Sequence, residues 1–157
     1  MAQHHIQSLF KVNEVEIVYK NPIPYLERIQ VTSSVTAYDI LRHAWDENRL
    51  ELVEQFKILL LDQQNNCLAI SDIATGGMTA CLADPKVIFA TALKSKACAI
   101  ILAHNHPSGN LQPSEADKTL TRKIKEGGKL LDITVLDHLI ITSHAYRSFA
   151  DEGLMPG

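Results

Sequence analysis

Apolar and polar positions alternate along parts of this chain and recur at helical spacing along others. Over residues 9–19, Val15, Ile17 and Tyr19 alternate with polar neighbours, which predicts a strand. Asn21-Pro22-Ile23-Pro24 then breaks regular structure, and residues 28–32 fit another short strand. Ser33 or Ser34 can cap a helix running to about residue 48, with Ala37, Leu41, Ala44 and Trp45 on its apolar face. Phe56-Lys57-Ile58-Leu59-Leu60-Leu61 predicts a buried strand. Gln63-Gln64-Asn65-Asn66 is its turn, and Cys67 to Thr75 returns as a second strand. Gly76-Gly77 is a break. Asp84-Pro85 starts a helix, with Asp as cap and Pro in the first helical position, running to about Lys94. Ala97 to Ala103 is an apolar run of strand length, covered on both faces. Ser114 opens a helix expected to end at Gly127-Gly128. Two further strands are expected near Thr134-Val135 and from Leu139 to Thr142. A hairpin with helices between strands predicts an α/β (α+β) domain, built on a mixed β-sheet flanked by helices.

The length of 157 residues fits one domain, and 46% hydrophobic content suffices for its core. A net charge of −3 argues against wrapping nucleic acid by bulk electrostatics, though a local basic patch stays compatible. Lys118, Arg122, Lys123, Lys125 and Lys129 gather on the last helix, where a solvated face is the plain reading. No apolar stretch nears the roughly 20 residues that span a bilayer, and the N-terminus lacks the layout of a secretion signal. A cytoplasmic protein without membrane contact is expected. Cys67, Cys81 and Cys98 form no Cys-x-x-Cys pair, and Cys98, in its apolar run, is expected to be a buried free thiol. His4 and His5 are too few for a metal tract.

Periodicity vanishes at residues 104–113, where His, Pro, Ser, Gly and Asn collect. His104-Asn105-His106 emerges from the end of a buried strand. Extended residues two apart point the same way, so both imidazoles can aim at one point. Asp117 lies in the first turn of the helix that follows, and a tight return brings its carboxylate back. Two His and a carboxylate with a fourth position open is the ligand logic of a catalytic zinc site. Such a site also needs a base from elsewhere in the chain. His-x-His alone fits ordinary surface or core histidines equally well. Ser114-x-x-Asp117 also reads as a helix N-terminus close to a capping box, which is compatible with a ligand there. His138 is read as structural or as a hydrogen-bond partner of a ligand, and His43 and His144 as surface groups.

These residues resemble a known pattern. His104-x-His106-Pro107, with ten residues between His106 and Asp117, and Ser114-x-x-Asp117 resemble the JAMM motif of MPN-domain (JAB-domain) metalloproteins. His104 to Gly109 with Pro113-Ser114-x-x-Asp117 is similar to the RadC-like branch of that superfamily. Leu136-Asp137-His138-Leu139-Ile140 and Tyr146-x-Ser148-Phe149-Ala150-x-x-Gly153 look like its C-terminal half. The resemblance covers roughly residues 34–155. It implies an MPN, cytidine-deaminase-like core in residues 34–157, preceded by an N-terminal strand-like arm over residues 1–33. It implies Zn²⁺ held by His104, His106 and Asp117, and a putting-to-work of water by a Glu at the start of an early strand. Glu54 matches that position, with Glu51 as the fallback. It implies that Ser114 steadies the developing oxyanion.

The expected function is therefore a JAMM-type zinc metallopeptidase acting on a peptide or protein substrate. The alternatives are a non-enzymatic RadC-like module associated with DNA repair or mobile DNA, and an MPN scaffold without catalysis. Relatives often carry Pro-Arg-Glu where this chain has Pro85-Lys86-Val87, and Gly-Thr where it has Gly76-Gly77. They often begin with a helical region of helix-hairpin-helix character, the part most readily linked to DNA, where this chain has its arm. That arm could pair with a neighbouring sheet edge to make an oligomer.

Overall fold

The computed structural model describes residues 11–16, 23–76 and 83–157. Among these residues three helices, α1 (Ser34–Ala44), α2 (Pro85–Lys94) and α3 (Glu115–Leu130), pack on one five-stranded sheet, with a 3-10 turn at Tyr25–Glu27. The strands are β1 (Gln55–Leu61), β2 (Cys67–Thr75), β3 (Ala99–Asn105), β4 (Thr134–Ile141) and β5 (Tyr146–Ser148), in the spatial order β2-β1-β3-β4-β5. β1 is antiparallel to both β2 and β3, β3 is parallel to β4, and β4 is antiparallel to β5. The mixed sheet with helices between strands is the architecture expected.

Strict alternation along the central strands divides the core in two. Leu59, Leu61, Ile101, Ala103, Leu139 and Ile141 pack under Ala37, Leu41 and Trp45 of the α1 region. Ile58, Leu60, Ile100, Leu102 and Val135 pack under α2 and α3, against Ile88, Ala92 and Ile124. β1 and β3 are buried along their whole length because helices cover both faces.

Local chemistry sets several boundaries. The Asp84 side chain accepts a hydrogen bond from Lys86 N, and Pro85 is the first residue of α2, as read from the sequence. α3 does not end at Gly127-Gly128 as expected but runs on to Leu130. These glycines serve close approach. A Cβ on Gly128 would stand 2.3 Å from the Ile133 carbonyl oxygen, and one on Gly127 would stand 2.8 Å from the Phe89 ring. The reversal falls instead on Asp132, at φ 54°.

Other expectations shift as well. α1 stops at Ala44, four residues early, because Trp45 turns extended and buries its ring; Ala44 itself is exposed. The strand foreseen over residues 28–32 reduces to one bridge, Gln30 with Asn66. Residues 11–16 form no strand and are exposed, since no sheet edge pairs with them; the rest of the strand expected over residues 9–19 lies outside the described residues. So do His4, His5, Gly77 and Cys81. Cys98 is exposed, because β3 begins one residue later and position 98 sits in the turn at the sheet's end.

The two strands expected near 134–135 and 139–142 are one strand, β4. Its alternation breaks because the register slips by one against β3: Ile100 faces Val135, but Ile101 faces Asp137. Leu136 is the extra residue. Beyond it Leu102 faces His138, so His138 joins Ile100, Leu102 and His104 on the α3 side of the sheet. β5, a three-residue strand, was not foreseen. Among the described residues, no helix is long and apolar enough to cross a membrane.

Candidate metal centre

β3 carries the apolar core outward and ends in polar chemistry. His104 is still within the strand and 1% exposed. His106 lies just past its end, where its N–H donates to the Ile141 carbonyl. The period-two rule holds: the two Nε2 atoms lie 2.9 Å apart. The chain then turns through Pro107 and Gly109, whose N–H donates to the His106 carbonyl at 3.0 Å. Gly109 adopts φ 84°, a left-handed conformation that a side chain would strain.

The loop delivers the chain to the capping box that the sequence foreshadows. Ser114 Oγ accepts from Asp117 N at 3.0 Å, and Asp117 Oδ2 accepts from Ser114 N at 2.8 Å. This pins the Asp117 carboxylate, leaving Oδ1 3.4 Å from His104 Nε2 and Oδ2 3.6 Å from His106 Nε2. Glu54 approaches from the residue before β1. One ligand atom from each of Glu54, His104, His106 and Asp117 lies within 4.8 Å of the others. Glu51, the other carboxylate considered, is exposed and outside this group.

Glu54 is placed by a residue that the sequence reading passed over. Asn105 points to the opposite side of β3 from the histidines and is fully buried. Its Oδ1 accepts from Gln55 N at 2.7 Å, and its Nδ2 donates to the carbonyls of Leu50 and Val53 at 2.7 and 2.9 Å. One carboxamide thus ties the Glu54 segment to the strand that bears both histidines. A lone Asn between two histidines carries no sequence signal for this, since its partners lie about fifty residues upstream.

The donor set suits a borderline divalent metal. His106 Nδ1 donates to the Asn110 carbonyl, so its neutral ring presents a lone pair at Nε2. The donor spacings of 2.9, 3.4 and 3.6 Å bracket the edge of a zinc tetrahedron, which is about 3.3 Å for bonds of roughly 2.0–2.1 Å. Two imidazoles and a carboxylate oxygen form a donor set that suits zinc and other borderline divalent cations alike.

Electrostatics sorts the two acids. Burial pushes the Asp117 carboxyl up, but the His104 and His106 rings beside it outweigh that and hold the group far below the usual range. Burial holds the Glu54 carboxyl above its ordinary value, with the histidines opposing and Asp117 reinforcing. For His106, burial lowers the imidazole, but the Asp117 carboxylate and the Asn110 carbonyl raise it overall. The group opens onto a cleft of about 430 Å³, walled by Ser108, Asn110, Gln112 and Ser114 beside Glu54 and Asp117, with no Lys or Arg among the described residues of its lining.

His138 touches the site through His104, with His138 Nε2 2.8 Å from His104 Nδ1, and it is outside the four-residue group, in line with the reading of it as a hydrogen-bond partner. Thr121 Oγ1 lies 2.6 Å from His138 Nδ1, a contact without a sequence signal, because a Thr on a helix gives no sign of what it faces. His43 and His144 are exposed, as expected.

Comparison with known families places this arrangement. The family model described as the RadC-like JAB domain matches residues 31–154. The chain belongs to the RadC-like JAB-domain family. A UPF0758 protein of Flavobacterium johnsoniae is 41% identical over 125 residues, covering 80% of this chain and 53% of that protein. A UPF0758 protein of Trichlorobacter lovleyi is 40% identical over 130 residues, covering 83% and 54%. One from Aromatoleum aromaticum is 46% identical over 103 residues, covering 65% and 46%. The chain therefore spans about half the length of the curated relatives it matches. The RadC-like JAB match takes in β1–β5, all three helices and every residue of the candidate metal group.

Proposed function

We propose that this RadC-like JAB domain is a zinc-dependent hydrolase of peptide or isopeptide bonds. The observation that carries the reading is the convergence of Glu54, His104, His106 and Asp117 within 4.8 Å of one another, three of them lining one cleft. His104, His106 and Asp117 would hold the ion. Bound there, zinc supplies a Lewis acid that polarises a carbonyl and lowers the pKa of water to about 7.

The chain's own residues do the rest. Glu54, with its raised carboxyl pKa, takes the proton of the attacking water at a side-chain oxygen and returns it to the leaving amine. The Ser114 hydroxyl accepts from Asp117 N, its one recorded hydrogen bond among the described residues. Its own proton is free to steady negative charge on the carbonyl oxygen of the substrate. Carboxamides of Asn110 and Gln112 offer donors and acceptors in the cleft that suit an extended peptide backbone. A cleft whose charged walls are carboxylates is poorly suited to nucleic-acid phosphates, which favours hydrolysis over a DNA-binding role for this face.

Metal analysis of wild type beside His106→Ala tests the ligands: stoichiometric zinc in the first and none in the second is expected. Equal zinc in both overturns the assignment. Peptides and isopeptide-linked peptides then test the base. Glu54→Gln should keep zinc and lose at least about 100-fold in turnover, within the usual range for general base catalysis. Wild-type turnover in that variant would remove Glu54 from the role.

A further inference from the structure

The JAB-type reading uses His104 Nε2, which faces His106 and Asp117, but the ring has a second side, and it is fully internal. His104 Nδ1 lies 2.8 Å from His138 Nε2; His138 Nδ1 lies 2.6 Å from Thr121 Oγ1; and Thr121 Oγ1 lies 2.7 Å from the backbone oxygen of Asp117. Both His138 and Thr121 are completely buried. The row therefore starts on one candidate ligand and ends on the backbone of another.

Every proton in this row can be assigned from its far end. A carbonyl oxygen only accepts, so the Thr121 hydroxyl donates to Asp117. The proton between Thr121 and His138 must then come from His138 Nδ1. The His138 ring makes no hydrogen bond to a carboxylate, and a ring buried in this way stays neutral, with a single N–H. Its Nε2 accepts, and the donor is His104 Nδ1. That leaves His104 Nε2 as a lone pair, facing His106 Nε2 and Asp117.

We propose that Thr121 and His138 are positioning residues which fix His104 in the Nδ1–H tautomer and so preset its Nε2 as a metal donor. The stretches 136–140 and 146–150 form the cage that keeps this row dry. Phe149 stacks on the His138 ring with centroids 4.8 Å apart, and Phe56 meets its edge at 5.6 Å. The Phe149 N–H donates to the His138 carbonyl at 3.0 Å. The Asp137 carboxylate accepts from His138 N and Ala150 N at 2.7 and 2.9 Å and from the Ser148 hydroxyl, joining the two stretches.

The inference rests on the metal-site reading only for its consequence; the tautomers themselves can be read without metal. In metal-free protein labelled with ¹⁵N-histidine, wild type should show His104 and His138 both protonated at Nδ1. Thr121→Val keeps the shape but offers His138 no acceptor. His138 should then shift toward Nε2–H and drive His104 to Nε2–H. Titration of the purified protein with Zn²⁺ against a fluorescent chelator should show roughly 10–100-fold weaker binding for Thr121→Val, the usual cost of losing a partner of a ligating histidine. Thr121→Ser restores the hydroxyl and should restore both the tautomers and the affinity. A wild-type His104 protonated at Nε2 overturns the proposal. So does a Thr121→Val protein with unchanged tautomers and zinc affinity, or a Thr121→Ser protein as weak as Thr121→Val. Wild-type protein with the assigned tautomers but no zinc uptake would instead overturn the metal reading and leave the row intact.

Discussion

The two histidines of the candidate metal centre are two residues apart in sequence yet belong to different parts of the molecule. His104 is strand: 1% exposed, flanked by the Phe56 ring at 6.1 Å, and backed by side chains from β4 and α3. His106 is loop: its side chain is 16% exposed, and its back nitrogen is held by the Asn110 carbonyl four residues on. The sheet side is rigid because its hydrogen bonds run through the core. The loop side forms the wall of the cleft. A site built this way separates two tasks that one environment serves badly, holding a metal donor still and leaving room for exchange.

Removing each histidine should break the comparison most visibly. Both His104→Ala and His106→Ala are expected to abolish zinc binding. Only the first should also weaken the metal-free fold, by about 2–4 kcal/mol, because it opens a buried cavity and strips His138 of a partner. His106→Ala should cost less than about 1 kcal/mol, as substitutions near the surface usually do. Urea unfolding in the presence of a chelator measures both, and equal losses would mean that the loop side is as structural as the strand.

Asn105, between them, belongs to the strand side in this scheme. Asn105→Ala leaves Gln55 N and the carbonyls of Leu50 and Val53 without their partner, and should cost about 3 kcal/mol or more at roughly 1–3 kcal/mol per buried group. Urea unfolding should show that loss, and turnover should fall with it because the Glu54 segment comes loose. Ser114→Ala tests the loop side. It should lose about 1 kcal/mol as a helix cap, with the thermal midpoint falling by a few degrees.

The smallest expected effect is one of pH. The folded His106 pKa is raised above its unfolded value. Its contribution to the metal-free fold is therefore complete below pH about 6.5, the ordinary histidine value. It is lost as pH rises through the folded value. Stability of metal-free wild type minus His106→Gln should decline from pH 6 to pH 9. A difference that is flat, or that grows with pH, would show that Asp117 does not hold a charged His106.

How much of this was legible depends on how local the information is. Asp84-Pro85 fixed the start of α2 because cap and proline act within one turn. His104-x-His106 with Ser114-x-x-Asp117 foretold the convergence, since strand period and capping box are local rules too. Gly127-Gly128 misled because a glycine that admits a neighbouring backbone looks the same as one that ends a helix. β4 was read as two strands because one extra residue shifted its alternation. Asn105 and Thr121 were illegible for a plainer reason. Their roles lie wholly in partners brought near by the fold.

That extra residue also sets the electronic character of His104. If β4 kept an unbroken register beyond Ile100, the position opposite Leu102 would fall to Asp137. A carboxylate would then stand where a neutral imidazole now stands, and His104 would gain an anionic partner and a stronger donor nitrogen. Deleting Leu136 would remove the bulge and leave His138 opposite Leu102, so it is the bulge around that residue, and not the length of β4, that seats an imidazole there.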